Sequence, residues 1–170
     1  MGNNMRPSSH LHSGTISISR SFSVLYLCLT ILCEAASAEV YYVSSTQGSA
    51  SNPGTLAKPW TLTKAKSAAR AGDVINLLAG NYTSTTFGVS GDATGSADAW
   101  ITYQSYPDPD GAKFPSVTFD GGTSLYIKIE GIDVECLSGD YGIHVAAGVS
   151  HVIIDNCRIH GQSGGVGPTV

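Results

Sequence analysis

The feature that most constrains this chain is a segment that occurs twice, the second copy lying 25 residues after the first. The first copy runs from Tyr126 to Gly139 and the second from His151 to Gly164. Alignment places apolar residues on apolar residues at alternate positions, namely Ile127 on Val152, Ile129 on Ile154, Ile132 on Cys157 and Val134 on Ile159. Alternation of this kind is typical of half-buried β-strands.

The phase of the alternation changes at Gly131 in the first copy and at Asn156 in the second. Gly and Asn adopt a left-handed backbone conformation most readily, so each copy is predicted to be two strands joined by a one-residue bend. A helix is disfavoured because both copies are rich in Ile and Val around that Gly or Asn. Coils of roughly 20 to 25 residues that bury their apolar faces only when stacked are typical of solenoids. We therefore predict an all-β fold, a parallel β-helix.

The N-terminal segment is predicted to be a secretory signal peptide. Arg6 and Arg20 precede a 12-residue apolar run, residues 22–33, and Ala36-Ser37-Ala38 supplies the small residues that signal peptidase accepts. The alternative is a membrane anchor, but a spanning helix needs about 20 apolar residues. We predict cleavage after Ala38, a mature domain over residues 39–170, and a secreted protein that is extracellular or held at the cell surface.

The mature domain is acidic, with seven basic and twelve acidic residues and hence a formal charge of −5. This balance argues against a nucleic-acid partner. It also lacks the overall positive field that would attract an anionic glycan. A uronic-acid polymer would therefore need a local basic groove or a bound cation.

The mature domain carries residues for two kinds of covalent modification, a disulfide and an N-linked glycan. In the 25-residue register Cys136 and Cys157 are about four residues apart on neighbouring strands, or about 13 Å, which is beyond disulfide reach. We therefore predict two buried thiols and no disulfide. Asn81 begins the sequon Asn81-Tyr82-Thr83 and is the predicted N-glycosylation site if the host is eukaryotic.

Upstream of the repeat, the sequence predicts a short helix followed by strands. Thr61 is the predicted N-cap of a helix that ends near Arg70 and shields the open end of the first coil. Strands are predicted at residues 40–44, 74–78, 101–106, 117–120 and 142–145. Loops are predicted at residues 47–54, 87–99 and 107–115.

Several short motifs follow one another between Val40 and Gly164. They are Tyr41-Tyr-Val-Ser44, Ser51-Asn-Pro-Gly-Thr55, Lys58-Pro59, Ala71-Gly-Asp-Val-Ile75, Ala79-Gly-Asn-Tyr-Thr83, Gly95-Ser-Ala-Asp-Ala-Trp-Ile-Thr-Tyr-Gln-Ser-Tyr-Pro107 and Phe119-Asp-Gly-Gly122. Together they resemble the N-terminal region of secreted right-handed parallel β-helix proteins of the polysaccharide-lyase-like (pectin lyase-like) group. Trp100 stands where that group commonly has Pro, and Thr63 where it commonly has an apolar residue. Since residues 165–170 begin a new coil, we expect a fragment whose C-terminal coils are missing.

The resemblance implies a carbohydrate-active protein without specifying a reaction. The group includes lyases of pectin, alginate or glycosaminoglycans, hydrolases, epimerases and members with no known activity. A polysaccharide lyase that cleaves uronic-acid polymers by β-elimination is the first hypothesis, and a non-catalytic adhesin or glycan-binding solenoid is the alternative. The expected partner is an anionic polysaccharide, with neither nucleic acid nor membrane once the signal is removed, and the expected state is a monomer.

β-Elimination needs a base for the C5 proton and a cation, often Ca²⁺ or Arg or Lys, that neutralises the carboxylate. In the group these residues usually lie on later coils. No catalytic residue is therefore carried over to this chain, which is expected to be inactive alone, and Ca²⁺ is the one cofactor considered.

Charged side chains on the predicted outward face are the candidate substrate-binding residues. The register pairs Asp133 with Arg158 and Glu135 with His160, about 4.8 Å apart across parallel strands. One interpretation is a solvated Asp133–Arg158 salt bridge worth under about 1 kcal/mol. The other makes these four side chains the rim of a carbohydrate groove.

Two further candidates lie on the same repeat. Glu130 pairs with Asp155 in the register, and adjacent carboxylates favour a bound cation, although Ca²⁺ prefers about six or more oxygen ligands. His144 alternates outward between Ile143 and Val145 and is a candidate because histidine titrates near neutral pH.

Overall fold

A computed structural model describes residues 37–136 and 141–161, so most of the predicted signal peptide lies outside the described residues. Their elements in chain order are β1 (Val40–Val43), α1 (Leu62–Ala68), β2 (Val74–Leu78), β3 (Gly80–Asn81), β4 (Thr85–Phe87), β5 (Ile101–Tyr106), β6 (Ala112–Phe114), β7 (Val117–Phe119), β8 (Ser124–Glu130), β9 (Asp133–Cys136), β10 (Ile143–Val145), β11 (Ser150–Asp155) and β12 (Arg158–Gly161).

The strands form three sheets, and every strand pairing within them is parallel. Sheet 1 has the order β1-β2-β5-β8-β11, sheet 2 has the order β4-β7-β10, and sheet 3 has the order β3-β6-β9-β12. From β2 onward the chain passes from sheet 1 to sheet 3, then to sheet 2 and back to sheet 1, and each turn adds one strand to each sheet. This path is a right-handed parallel β-helix, and the predicted fold is confirmed.

The predicted 25-residue register is also confirmed. Val152 pairs with Ile127, and Ile159 pairs with Val134. The backbone is left-handed at Gly131, with φ of 64°, and at Asn156, with φ of 47°. These two residues therefore turn the chain from sheet 1 into sheet 3, as their positions in the repeat predict.

The core is a column of inward side chains from successive coils. Tyr103, Ile127 and Ile129 are at most 1% exposed. Phe87 stacks on Phe119 with ring centroids 5.6 Å apart. Complete burial of an aliphatic side chain stabilises a fold by about 1.5–3 kcal/mol, so each coil is stabilised by the coils stacked against it.

The cap helix begins as predicted, since the Thr61 hydroxyl accepts a hydrogen bond from the Lys64 amide. It ends at Ala68, two residues before the predicted end, because Ala69 has an extended ψ of 154°. Lys66 in the last turn reaches Asp92 with an Nζ–Oδ2 distance of 3.1 Å, and both side chains are largely buried. This ion pair joins the helix to the loop between β4 and β5.

Two details differ from the sequence predictions. The segment predicted as a loop, residues 107–115, contains strand β6, because Ala112 and Phe114 point into the core. Cys136 is buried as predicted, but Cys157 is partly exposed. No disulfide joins the two cysteines, in agreement with the prediction.

Candidate functional site

The outer face of sheet 3 carries a row of polar side chains, one from each coil. The register aligns Asn81 with Lys113, Lys113 with Asp133, and Asp133 with Arg158. Neighbouring strands lie about 4.8 Å apart, so the row places one acidic group between two basic ones. With Glu135 on the same face, the surface carries two basic and two acidic side chains and is close to neutral within an acidic domain.

Asp133 is the least exposed member of this row. In β9 the Asp133 side chain points away from the core, yet the residue is only 4% exposed. Its Oδ1 atom lies 2.8 Å from Nε2 of His160, a residue two positions beyond its register partner Arg158. The predicted Asp133–Arg158 salt bridge is therefore wrong, because the imidazole ring takes the position beside the carboxylate.

A pocket of about 220 Å³ opens beside the row and is lined by Asn81, Tyr82, Lys113, Phe114, Pro115 and Glu135. Its aromatic part is rigid, since the rings of Tyr82 and Phe114 stack with centroids 4.8 Å apart. The Tyr82 hydroxyl lies 2.8 Å from the Leu78 carbonyl oxygen and 3.0 Å from that of Val43. Burial raises the pKa of this hydroxyl above its usual value, so it remains a hydrogen-bond donor.

Asn81, Lys113 and Glu135 supply the polar part of the pocket and are all exposed. Together they present an amide, an ammonium group and a carboxylate to solvent. Tyr82 and Phe114 are only 7% and 2% exposed, so the three polar side chains are the groups available to a ligand such as a sugar hydroxyl or carboxylate.

The structure thus brings four of the predicted site residues together on sheet 3, namely Asp133, Glu135, Arg158 and His160. His144 is separate from them. It lies on β10 in sheet 2 and stacks on Tyr141, with ring centroids 5.4 Å apart. His144 therefore lies on a different sheet from the other four candidates, and its role stays a prediction.

The pair predicted as a weak metal site, Glu130 and Asp155, is in register on sheet 1. The Lys128 ammonium group lies 2.9 Å from Glu130 and 3.0 Å from Asp155. Hydrogen bonds to Glu130 and then Asp155 raise the pKa of Lys128. A lysine therefore pairs with both carboxylates, and a Ca²⁺ ion at this position stays a prediction. Among residues 37–136 and 141–161, no group of three or more His, Cys, Asp or Glu side chains is arranged to hold a metal.

Two pocket residues were missed as site residues at the sequence level. Lys113 was assigned to a loop, although its position between Ala112 and Phe114 gives the apolar-polar-apolar pattern of a short strand. Asn81 was considered only as a glycosylation site. Its place beside Lys113 depends on the pairing of β3 with β6, which no repeat in the sequence reveals.

Comparisons with known proteins identify the fold. The sequence matches no protein-family profile and no characterised protein. The structure is similar to that of a rhamnogalacturonan lyase, with a TM-score of 0.54. The two share 24% sequence identity, and the match covers 74% of this chain and 37% of the lyase.

A second solved structure, pectate lyase Pel9A, matches with a TM-score of 0.47 and 23% identity over 70% of this chain and 32% of that one. The chain therefore spans about a third of the length of the lyases that it resembles. At 24% identity the likeness to the rhamnogalacturonan lyase concerns the fold alone, and it agrees with the predicted parallel β-helix. Within the described residues there is no helix with the length and hydropathy needed to span a membrane.

Proposed function

We propose that this protein is an extracellular carbohydrate-active β-helix protein whose complete form is a polysaccharide lyase that cleaves uronic-acid polymers by β-elimination. The observation that carries the proposal is the row Asn81, Lys113, Asp133 and Arg158 beside the sheet 3 pocket. The fold shared with a protein named rhamnogalacturonan lyase supports the same reading by analogy.

The sheet 3 pocket and the row beside it suit a polymer that carries a carboxylate on its sugar units. Lys113 is exposed at the pocket, and its ammonium group can pair with a uronate carboxylate while the Asn81 amide donates to a ring hydroxyl. A hydrogen bond to a charged group contributes about 1.5–3 kcal/mol when shielded and less when exposed. One such contact gives weak binding, so useful affinity requires several sugar units bound along successive coils.

Asp133 and His160 add a polar pair next to this pocket. The carboxylate fixes the imidazole through Nε2, which leaves the other ring nitrogen to contact a ligand. In the proposed role His160 orients the polymer. The base and the cation required for elimination belong to the rest of the complete protein, and Ca²⁺ remains part of the proposal for that larger protein only.

Incubation of the complete secreted protein with polygalacturonate, alginate and chondroitin, each with Ca²⁺ and with chelator, tests the reaction. The expected product is an unsaturated uronate, detected by its ultraviolet absorbance. Its absence with every polymer under both conditions would refute the lyase assignment.

A binding measurement tests the groove separately from the reaction. Lys113→Met is expected to weaken binding of an oligouronate by roughly 5- to 10-fold, the effect of about 1–1.4 kcal/mol. Lys58→Met is the matched control, because Lys58 is exposed in a loop and does not line the pocket. Equal affinities of the two variants would exclude the pocket as a binding site.

The alternative, a non-catalytic glycan-binding solenoid, is favoured by one observation. Several charged side chains of the outer faces pair with one another, as Asp133 does with His160 and Lys128 does with two carboxylates. Under this alternative the complete protein binds oligouronates through Lys113 but releases no unsaturated product.

A further inference from the structure

Asp73 is a buried carboxylate at the start of sheet 1. It lies between α1 and β2 and is 2% exposed. Its Oδ2 atom accepts a hydrogen bond of 2.7 Å from the Arg70 amide, and its Oδ1 atom accepts one of 3.0 Å from the Glu39 amide. Among the described residues no Lys, Arg or His side chain forms an ion pair with it. A buried charge held by neutral donors alone carries a large desolvation cost.

The second donor is the nitrogen atom that the predicted signal cleavage would release. Residues 37–39 are exposed and lie outside every strand, so the Ala38–Glu39 peptide bond is accessible. In hydrolysis by signal peptidase, water adds across this bond. The Ala38 carbonyl carbon leaves as a carboxylate, and the Glu39 nitrogen takes up protons and becomes an α-ammonium group.

We propose that cleavage after Ala38 creates an ion pair between the new N-terminus and Asp73, and that this pair locks the first strand of the β-helix in place. The inference is independent of the carbohydrate function and rests on the predicted cleavage site. It gives the signal-peptide junction a second role, as the source of the cation that the Asp73 carboxylate lacks.

The geometry requires no movement of the chain. The Glu39 carbonyl oxygen accepts a hydrogen bond of 2.9 Å from the Val74 amide, directly after Asp73. Val40 then pairs with Val74 in the parallel register. These contacts lie on the C-terminal side of the cleaved bond and therefore hold the Glu39 nitrogen beside the carboxylate before and after processing.

The expected gain follows from replacing a neutral donor with a charged one at the same distance. Hydrogen bonds to charged donors contribute about 1 kcal/mol more than neutral ones, and a factor of 10 corresponds to about 1.4 kcal/mol. We expect the folding equilibrium constant to rise roughly 5- to 10-fold when the chain begins at Glu39.

The gain should depend on pH with a defined sign. An α-amino group titrates near pH 8 in an unfolded chain, and a carboxylate partner raises its pKa in the folded state. The gain is therefore complete below about pH 7 and is lost as the pH rises through the folded value. The other charged or titratable groups nearby are the exposed side chains of Glu39 and Arg70 and the buried Tyr103 hydroxyl, whose pKa is raised mainly by burial.

The experiment compares two secreted forms of the protein, one beginning at Glu39 and one that retains Ser37 and Ala38. Mass spectrometry of the protein processed from its own signal should first give Glu39 as the N-terminal residue. Urea unfolding at pH 6 should then show the 5- to 10-fold advantage for the Glu39 form, and unfolding at pH 10 should show a much smaller one.

The variant Asp73→Asn, made in both forms, separates the ion pair from other effects of chain length. The difference between the two N-termini should disappear in the variant, even if the variant itself is less stable. An N-terminus elsewhere, equal stability of the two wild-type forms at pH 6, or an unchanged difference in the variant would each overturn the proposal.

Discussion

Substitution of Lys66 by Met tests how strongly the cap helix is tied to the first coils. The Lys66 ammonium group pairs with Asp92 at 3.1 Å, donates a hydrogen bond to the Thr86 carbonyl oxygen and lies 5.5 Å from the centre of the Phe87 ring. Methionine keeps most of the aliphatic stem and removes the charge. The Asp92 carboxylate, whose side chain is 10% exposed, would then lose its cation.

The magnitude follows from the burial of the pair. Removal of one member of a buried ion pair costs about 3–5 kcal/mol. Asp92 keeps a hydrogen bond of 3.1 Å from the Gly88 amide, so the cost should be in the lower part of that range or slightly below it. We expect Lys66→Met to lower the free energy of unfolding by about 2–3 kcal/mol.

Urea unfolding followed by circular dichroism measures this change, with the m-value checked for two-state behaviour. Lys64→Met is the matched control on the same helix. The Lys64 ammonium group lies 5.9 Å from the Trp60 ring centre, a contact worth about 0.5–1 kcal/mol. The double variant Lys66→Met with Asp92→Asn should recover part of the loss, because no buried charge is left unpaired.

Two outcomes would contradict this reasoning. One is a loss in Lys66→Met that equals the loss in Lys64→Met. The other is a double variant whose loss equals the sum of the losses in the two single variants, which would show that Lys66 and Asp92 are not coupled.

Three further predictions concern the coils themselves. Lys128→Met should lower stability by less than about 1 kcal/mol, and the difference from wild type should vanish as the pH rises through the raised pKa of Lys128, as measured by unfolding at several pH values. Gly131→Ala should lower the free energy of unfolding by about 1–2 kcal/mol, because φ is 64° at this position and the strain is not increased by a clash, the nearest atom to the added methyl group lying 3.6 Å away. Asn156→Gly should leave the free energy of unfolding unchanged. Thermal unfolding of both variants measures this difference, and equal losses of stability would disprove the prediction. Burial raises the pKa of the Cys157 thiol, so its alkylation at pH 8 should be slower than that of a small-molecule thiol, and titration in denaturant should detect two thiols in the mature chain.

The sequence predicted the fold wherever a pattern repeated. The pairing of Ile127 with Val152 and the bends at Gly131 and Asn156 follow from one internal alignment and the backbone preferences of Gly and Asn. Strand β2 also has its predicted limits, since four of the five residues from Val74 to Leu78 are apolar. Strand β6 was not predicted because it has only three residues, in a segment bounded by Pro109 and Pro115.

The site was harder to predict for a different physical reason. Register alone identified Asp133, Glu135, Arg158 and His160 as neighbours, but the choice of partner depends on side-chain rotamers. Asp133 bonds diagonally to His160, and strand spacing does not indicate such a contact. Lys128 likewise pairs with carboxylates on its own strand and on the next one, and a pattern of adjacent acidic residues does not indicate that contact.

The number of residues between paired positions in sheet 1 has a consequence for how such a protein can diversify. Val74 pairs with Val40, 34 residues earlier, whereas Val152 pairs with Ile127, only 25 residues earlier. The surplus lies between β1 and β2, in a segment that contains the loop after Val43 and helix α1. Proteins that share this scaffold can therefore have a longer loop, and a different ligand, while the strand pairing of every coil stays the same. A single residue inserted within a strand would instead turn its buried side chains outward.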